Sequence, residues 1–311
     1  MPPRPHIRSA VPFLAAVLVA GALLCGCASP DAAGDLATGP GDCPAEPVDL
    51  VVTVGQWNDL AVTIAGACAH VRTIVGGSAG DPHEFEPAVS DAAHLTRAGL
   101  VLVNGLGYDD WAVHVLGAMR HPPAVVDAAE AAGLHEGDNP HVWYGPGFVD
   151  RVADALSAEL KAQLPAASAY LDGRRTEWSA ASGPLHAAVA ALSESARGRS
   201  YAATEPVFEY MAAAVGLVDR TPSGYRDAVA NESDPSPGDL HALDAALRSG
   251  QIDVLVRNLQ TESALDSRLL EAATAAGVPV VGVTETVPPG LGFVQWQVGQ
   301  LDSLARALGS A

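Results

Sequence analysis

Two α/β lobes, each a mostly parallel sheet flanked by helices and joined by a long helical linker, are the fold this sequence predicts. Three observations carry that reading. Short β-rich runs alternate with helix-periodic segments from Val48 to Leu164. The same alternation resumes at Ser200 and continues to the C-terminus. Between them lies an Ala-rich, helix-favouring stretch over residues 167–192. Strands that alternate with helices form parallel sheets covered on both faces.

The elements follow in order. DLVVTV (49–54) is a β-branched run, NDLAVTIAGA (58–67) has helical spacing, and VRTIV (71–75) is strand-like. SDAAHLTRAG (90–99) reads as a helix with Ser90 as N-cap. LVLVNG (100–105) is a buried strand that ends at a glycine, Trp111–Met119 is helical, and AVVDA (124–128) is a strand. In the helix predicted over 148–164, Val149, Val152, Leu156 and Leu160 fall on one stripe. Residues 167–192 form one long helix or two joined ones, with Gly183-Pro184 as the place for a kink. The second half gives strands at 200–204, 252–256 and 278–283. Helices fall at 208–216, after Pro235 through LHALDAALRSG, at 263–277 with Gly277 as the terminating residue, and at 295–308. No solenoid-type repeat is visible.

The predicted domain organisation is a leader over 1–27, a flexible tether over 28–47, an N-terminal lobe over 48–165, a linking helix over 166–196 and a C-terminal lobe over 197–311. The leader has Arg4 and Arg8 before an apolar run, the layout of a secretory signal. That run falls short of the roughly 20 clean apolar residues of a spanning helix. It ends in Leu24-Cys25-Gly26-Cys27, which resembles a bacterial lipobox with Cys27 as the residue to be acylated. Cys25 departs from the small residue usual at that position. The expected location is therefore extracytoplasmic, anchored to the outer face of the cell membrane. The tether is rich in Pro, Gly, Ala and Asp and lacks periodic apolar positions.

The remaining cysteines, Cys43 and Cys68, each precede a predicted strand at one edge of the first sheet. Outside the cytoplasm they are a candidate disulfide pair. The formal net charge of −19 argues against nucleic acid as a partner, because a phosphate backbone needs a basic face.

Two tetrapeptides carry the chemistry. Gly80-Asp81-Pro82-His83 and Asp138-Asn139-Pro140-His141 each place a histidine directly after a proline in a polar loop. Proline fixes its own φ and holds its predecessor extended, so an imidazole placed there is held with less freedom. Two neutral imidazoles are ordinary ligands for Zn, Mn or Fe. Glu84 and Glu86 flank His83 and are candidates to hold its ring N–H. Trp143 and Tyr144 are expected to pack at the cleft, and Asn258 and Gln260 are candidates to hydrogen-bond near it.

Several stretches in order carry a family resemblance: GGSAGDPHEFEPAVSDAAHLTRAGLVLVNGLGYDDW (76–111), DNPHVWYGP (138–146), YAATEPVFEYMAAAVGL (201–217), ESDPSPGDLHALDAAL (232–247) and VVGVTETVPPG (280–290). From about Val48 to the C-terminus the chain resembles the solute-binding lipoproteins of bacterial zinc and manganese ABC importers, the ZnuA/TroA/PsaA-like family. The resemblance implies two α/β lobes bridged by a long rigid helix, with one metal in the cleft between them. It implies four ligands: His83, His141, Glu205 in Ala203-Thr204-Glu205-Pro206, and Glu285 in Thr284-Glu285-Thr286. The last corner is usually Asp in the family, so Glu285 adds a methylene there. Two carboxylates beside two imidazoles tilt the site toward Mn2+, while Zn2+ has the higher intrinsic affinity. Few histidines precede the second motif, which also leans to manganese, with iron behind both.

The resemblance further implies an ABC transporter membrane permease as partner, and a monomer is expected. An adhesin or interaction lipoprotein on the same fold is the alternative. A metal-dependent hydrolase is the other competing class, but H-E-x-x-H and a phosphate-cradling glycine loop are missing from the sequence. The expectation is a binding protein and not an enzyme.

Overall fold

The first sheet is built from β1 (Val48–Val54), β2 (Ala69–Val75), β3 (Leu100–Val103) and β4 (Ala124–Asp127), in the order β2-β1-β3-β4. All three pairings are parallel, with Leu50 opposite Leu100 and Leu100 opposite Ala124. The second sheet repeats the plan with β5 (Ser200–Ala203), β6 (Val218–Asp219), β7 (Val254–Asn258) and β8 (Val280–Val283), in the order β6-β5-β7-β8, again all parallel. The structure is a computed structural model that describes residues 39, 41–76, 85–231, 233–261 and 263–309. The leader, Cys27 and the Asp81-Pro82-His83-Glu84 loop lie outside the described residues. The described residues belong to one compact unit, Gly34–Ala311.

Parallel strands are buried on both faces, so their alternate residues feed two different cores. In the first sheet Leu50, Val52, Leu100 and Leu102 point to one face, and Val51, Val101 and Val103 to the other. The second face is covered by α2 (Val89–Arg97) and α3 (Asp110–Gly117) through Leu95, Ala112 and Leu116. The second sheet divides in the same way. Leu255 and Ala202 face α8 (Ser223–Ala230), α9 (Pro237–Arg248) and α10 (Ala264–Ala276), whereas Tyr201, Val254, Val256, Val281 and Val283 face inward. The inner faces of both sheets drain into one continuous apolar cluster. That shared core makes a wide swing of one lobe against the other costly, because it would expose apolar surface to water.

The cluster is filled by α1 (Asn58–Ala65), α4 (Ala128–Ala132), α5 (Pro146–Gln163), α6 (Ser168–Ala196), α7 (Glu209–Ala214) and α11 (Phe293–Ala307). Pro146 opens α5 at its first position, where no intrahelical N–H is needed. The predicted stripe of Val149, Val152, Leu156 and Leu160 is buried as expected. The linker is one uninterrupted helix, α6, of 29 residues, with Pro184 inside it. Leu171, Trp178, Leu185 and Leu192 recur every seven residues along α6 and are all buried, and α6 packs against α1, α5 and α11. Trp178 meets Phe293 of α11 with ring centroids 6.1 Å apart.

Cys43 and Cys68 are joined by a disulfide with Cα atoms 4.8 Å apart, at the end of the sheet where β1 and β2 begin. Gly66 precedes this corner with φ of 55°, and a side chain there would collide with the Tyr170 hydroxyl that accepts the Ala67 N–H. One predicted cap is corrected. Ser90 is not the N-cap of α2; the helix begins at Val89, Ala88 caps it, and the Asp91 carboxylate accepts the Ala88 N–H at 2.7 Å. The aspartate offers a charged acceptor to the open helix end where a serine would offer a neutral one.

Candidate metal centre

In both sheets the strand order reverses between the first and third strands of the unit, and the groups that carry chemistry sit at the carboxyl ends of the strands. This is where open α/β sheets collect ligands. Glu205 follows β5 by two residues, Asn258 closes β7, and Glu285 follows β8 by two residues. From the first sheet, Gln56 follows β1, Asn104 to Asp109 follow β3, and His141 lies in the loop between α4 and α5.

The loop after β3 is shaped by Asp109. Its buried carboxylate accepts the Thr53 hydroxyl at 2.5 Å, the Asn104 N–H at 2.7 Å and the Gly105 N–H at 2.9 Å. Burial pushes its carboxyl above the usual aspartate value, against the pull of those three hydrogen bonds. Gly105, with φ of 81°, is the turn; a side chain there would strike the Asp127 carboxylate. The loop so folded aims Tyr108 at the cleft. Asn104 fixes a second loop as well: its amide donates to the Pro140 carbonyl at 2.9 Å, while its oxygen accepts the Trp57 indole N–H at 3.1 Å.

His141 is 5 % exposed and walled by aromatic rings, with Trp143 at 5.3 Å and Tyr108 at 6.1 Å between centroids. Asn139 Oδ1 accepts its backbone N–H at 3.0 Å and lies 2.6 Å from its ring Nδ1. The orientation of that amide is set by its other end. Asn139 Nδ2 meets the Pro206 carbonyl at 2.7 Å and a Glu209 carboxylate oxygen at 2.8 Å, both acceptors. Oδ1 therefore faces the ring and Nδ1 carries a proton, so in the neutral ring Nε2 is the acceptor nitrogen. That Nε2 lies 3.4 Å from Glu285 Oε2.

Glu285 is fully buried, and its backbone and carboxylate are held separately. Its N–H donates to Gln260 Oε1 at 2.6 Å, and its carbonyl accepts from Gln56 Nε2 at 2.9 Å. Oε1 accepts from Asn258 Nδ2 at 2.8 Å and Oε2 from the Tyr108 hydroxyl at 3.2 Å. Glu205 takes the other hydrogen of the Asn258 amide at 2.7 Å and accepts the Thr261 hydroxyl. Burial raises its carboxyl above the ordinary glutamate value; the Asn258 and Thr261 hydrogen bonds and His141 oppose the rise, and the Glu285 charge adds to it. The flanking Thr284 is pinned from the first lobe by the Tyr144 hydroxyl, which donates to its carbonyl at 2.6 Å.

Of the four residues singled out in the sequence, the structure brings His141 and Glu285 face to face and puts Glu205 one shared amide away; His83 lies outside the described residues. Among the described residues no three His, Cys, Asp or Glu side chains stand close enough to hold a metal ion together. Asn258 and Gln260 do reach the cleft. Glu84 is outside the described residues, Glu86 is exposed, and Trp143 and Tyr144 are fully buried. Sequence reasoning missed Gln56, Tyr108 and Thr261, whose roles are set by contacts across the fold.

Paired parallel sheets about one shared core, with an imidazole from one lobe facing a carboxylate from the other, define the class as a two-lobed α/β protein. The particular family follows from comparison: residues 50–307 match the family of the zinc-uptake complex component A, periplasmic, and the chain belongs to it. It is similar to the high-affinity zinc uptake system protein ZnuA of Bacillus subtilis (strain 168), with 21 % identity over 293 residues, 87 % of this chain and 90 % of that one. The fold matches the periplasmic zinc binding protein TroA from Treponema pallidum with a TM-score of 0.70 and 22 % identity, covering 84 % of this chain and 99 % of that chain. It also matches the solute-binding protein FpvC from Pseudomonas aeruginosa, solved in complex with Mn2+, with a TM-score of 0.70 and 18 % identity, covering 85 % of this chain and 99 % of that chain.

Proposed function

We propose that this protein captures a divalent transition metal ion, Mn2+ or Zn2+, outside the cytoplasmic membrane and delivers it to the membrane permease of an ABC importer. The observation that carries the reading is the 3.4 Å approach of His141 Nε2 to Glu285 Oε2 across the cleft. An imidazole nitrogen and a carboxylate oxygen at this separation are two donor atoms that one cation can bridge. The tautomer that exposes Nε2 is the one a metal ligand needs. Glu205, tied to Glu285 through Asn258, is the second carboxylate, and His83 is the second imidazole.

Two neutral imidazoles and two carboxylates neutralise a divalent cation. The hard oxygen donors favour Mn2+ relative to a three-imidazole site, while the general order of affinities favours Zn2+. Ligands from both lobes make the bound ion bias the closed arrangement, and the continuous core keeps the accompanying motion small. Acylation at Cys27 would hold the protein at the outer face of the membrane. The test is a calorimetric titration of chelator-stripped protein with Zn2+ and Mn2+. One ion per chain, with binding abolished in His141→Ala, is the expected result; absence of binding by both ions overturns the proposal.

A further inference from the structure

Asn139 makes contacts that neither a simple turn residue nor a simple ligand partner requires. Its Oδ1 takes both N–H groups of His141, in the first lobe. Its Nδ2 reaches the second lobe, to the Pro206 carbonyl at 2.7 Å and to Glu209 Oε2 at 2.8 Å. Its own carbonyl accepts the Tyr210 hydroxyl at 2.8 Å, and Phe148 packs edge-on to the Tyr210 ring with centroids 4.8 Å apart. Pro206 directly follows Glu205. A single amide thus stands between His141 on one lobe and Glu205 on the other.

We infer that Asn139 is a positioning residue that couples the orientation of the His141 imidazole to the closure of the second lobe. The inference rests on the reading of His141 and Glu205 as metal ligands. The amide is the group the position demands. An aspartate would still accept the His141 ring N–H, and as a charged acceptor would do so more strongly. It has no donor for the Pro206 carbonyl, and it would set its charge against Glu209. Asn139→Asp therefore keeps the imidazole held and breaks the tie between the lobes. Glu209→Gln added to it supplies an amide N–H that can donate back to the new carboxylate, so the cross-lobe bond is restored with its polarity reversed.

The experiment compares wild type, Asn139→Asp, Glu209→Gln and the double variant. Zn2+ and Mn2+ affinities are read by calorimetry, and backbone hydrogen exchange is read on the metal-free full chain. In Asn139→Asp the expected affinity loss is about 10- to 100-fold, the range for partners that orient metal ligands. Exchange should accelerate in residues 206–214 as well as in 139–145, and the ring of His141 should keep its proton on Nδ1 by nitrogen-15 shift. Glu209→Gln alone should lose less than Asn139→Asp, because its amide oxygen still accepts, and the double variant should recover at least half of the Asn139→Asp loss on a logarithmic scale. An Asn139→Asp protein that binds as wild type, or a double variant no better than Asn139→Asp, overturns the coupling. If wild type binds neither ion, the metal reading fails; the exchange data then decide the lobe tie alone, and unchanged exchange in 206–214 overturns it.

Discussion

Glu205 and Glu285 are tied to the same nitrogen, Asn258 Nδ2, at 2.7 and 2.8 Å. One amide keeps two carboxylates together in a buried cleft where their charges repel. Asn258→Ala leaves both acceptors short of a donor, and each such loss costs about 1–3 kcal/mol. In urea unfolding under chelator, this variant should be less stable than wild type by at least that amount. An unchanged midpoint and slope would show that the amide contributes nothing there.

The imidazole and the outer carboxylates should separate cleanly in binding. His141→Ala should weaken Zn2+ and Mn2+ binding at least about 100-fold, since it removes a ligand and its oriented lone pair. Glu86→Gln, at an exposed position beside the first histidine motif, should change affinity less than about twofold. Calorimetric titration of the two variants in parallel checks both.

Acidity should weaken binding from an unusually high pH. Burial holds the Glu205 carboxyl above the ordinary value of 4.5. A raised carboxyl is protonated in the metal-free fold where the unfolded chain has already lost the proton. Its contribution to stability is thus fully present below pH 4.5 and disappears as pH climbs through the folded value. Metal binding needs the carboxylate, so affinity runs the opposite way and rises over that window. Titrations at a series of pH values should show affinity falling on acidification while still above pH 4.5, and Glu205→Gln should flatten that part of the profile.

The disulfide should matter for stability and not for the cleft. Cys43 and Cys68 are 25 residues apart, a loop whose closure is worth about 3.5 kcal/mol in the chain-entropy model. The pair lies where β1 and β2 begin, at the opposite end of the strands from the candidate ligands. Replacing both cysteines with serine should lower the unfolding free energy by about that amount and leave metal affinity unchanged.

What the sequence made legible was the part written in local pattern. The strand core of β3 is a continuous apolar run, those of β1 and β8 are apolar but for Thr53 and Gly282, and the α5 stripe has a clean helical period. Short elements escaped. α4 has five residues, β6 has two, and α8 carries a single fully buried side chain, Tyr225, so none offers enough periods to read. From the sequence the linker is one helix or two, because Pro184 removes a donor; the seam of Leu171, Trp178, Leu185 and Leu192 carries α6 through it.

At the site, His141 stands in a Pro-His motif, and Glu285 follows only from the family resemblance. Gln56 could not, because its partner carbonyl on Glu285 is 229 residues away. Tyr108 lies 177 residues from the same carboxylate. Asn139 lies inside the second histidine motif, but its reach to Pro206 depends on how the two lobes meet. Side chains that serve through tertiary contacts carry no sequence period.

The most direct measurement is thermal melting of chelator-stripped protein in buffered free Zn2+ and Mn2+, run beside His141→Ala. A ligand that binds only the native state must raise the midpoint in proportion to how far its free concentration exceeds its dissociation constant. A saturable rise with at least one ion, lost in His141→Ala, is the expected result. A midpoint that neither ion moves, or a rise that His141→Ala retains in full, would contradict it.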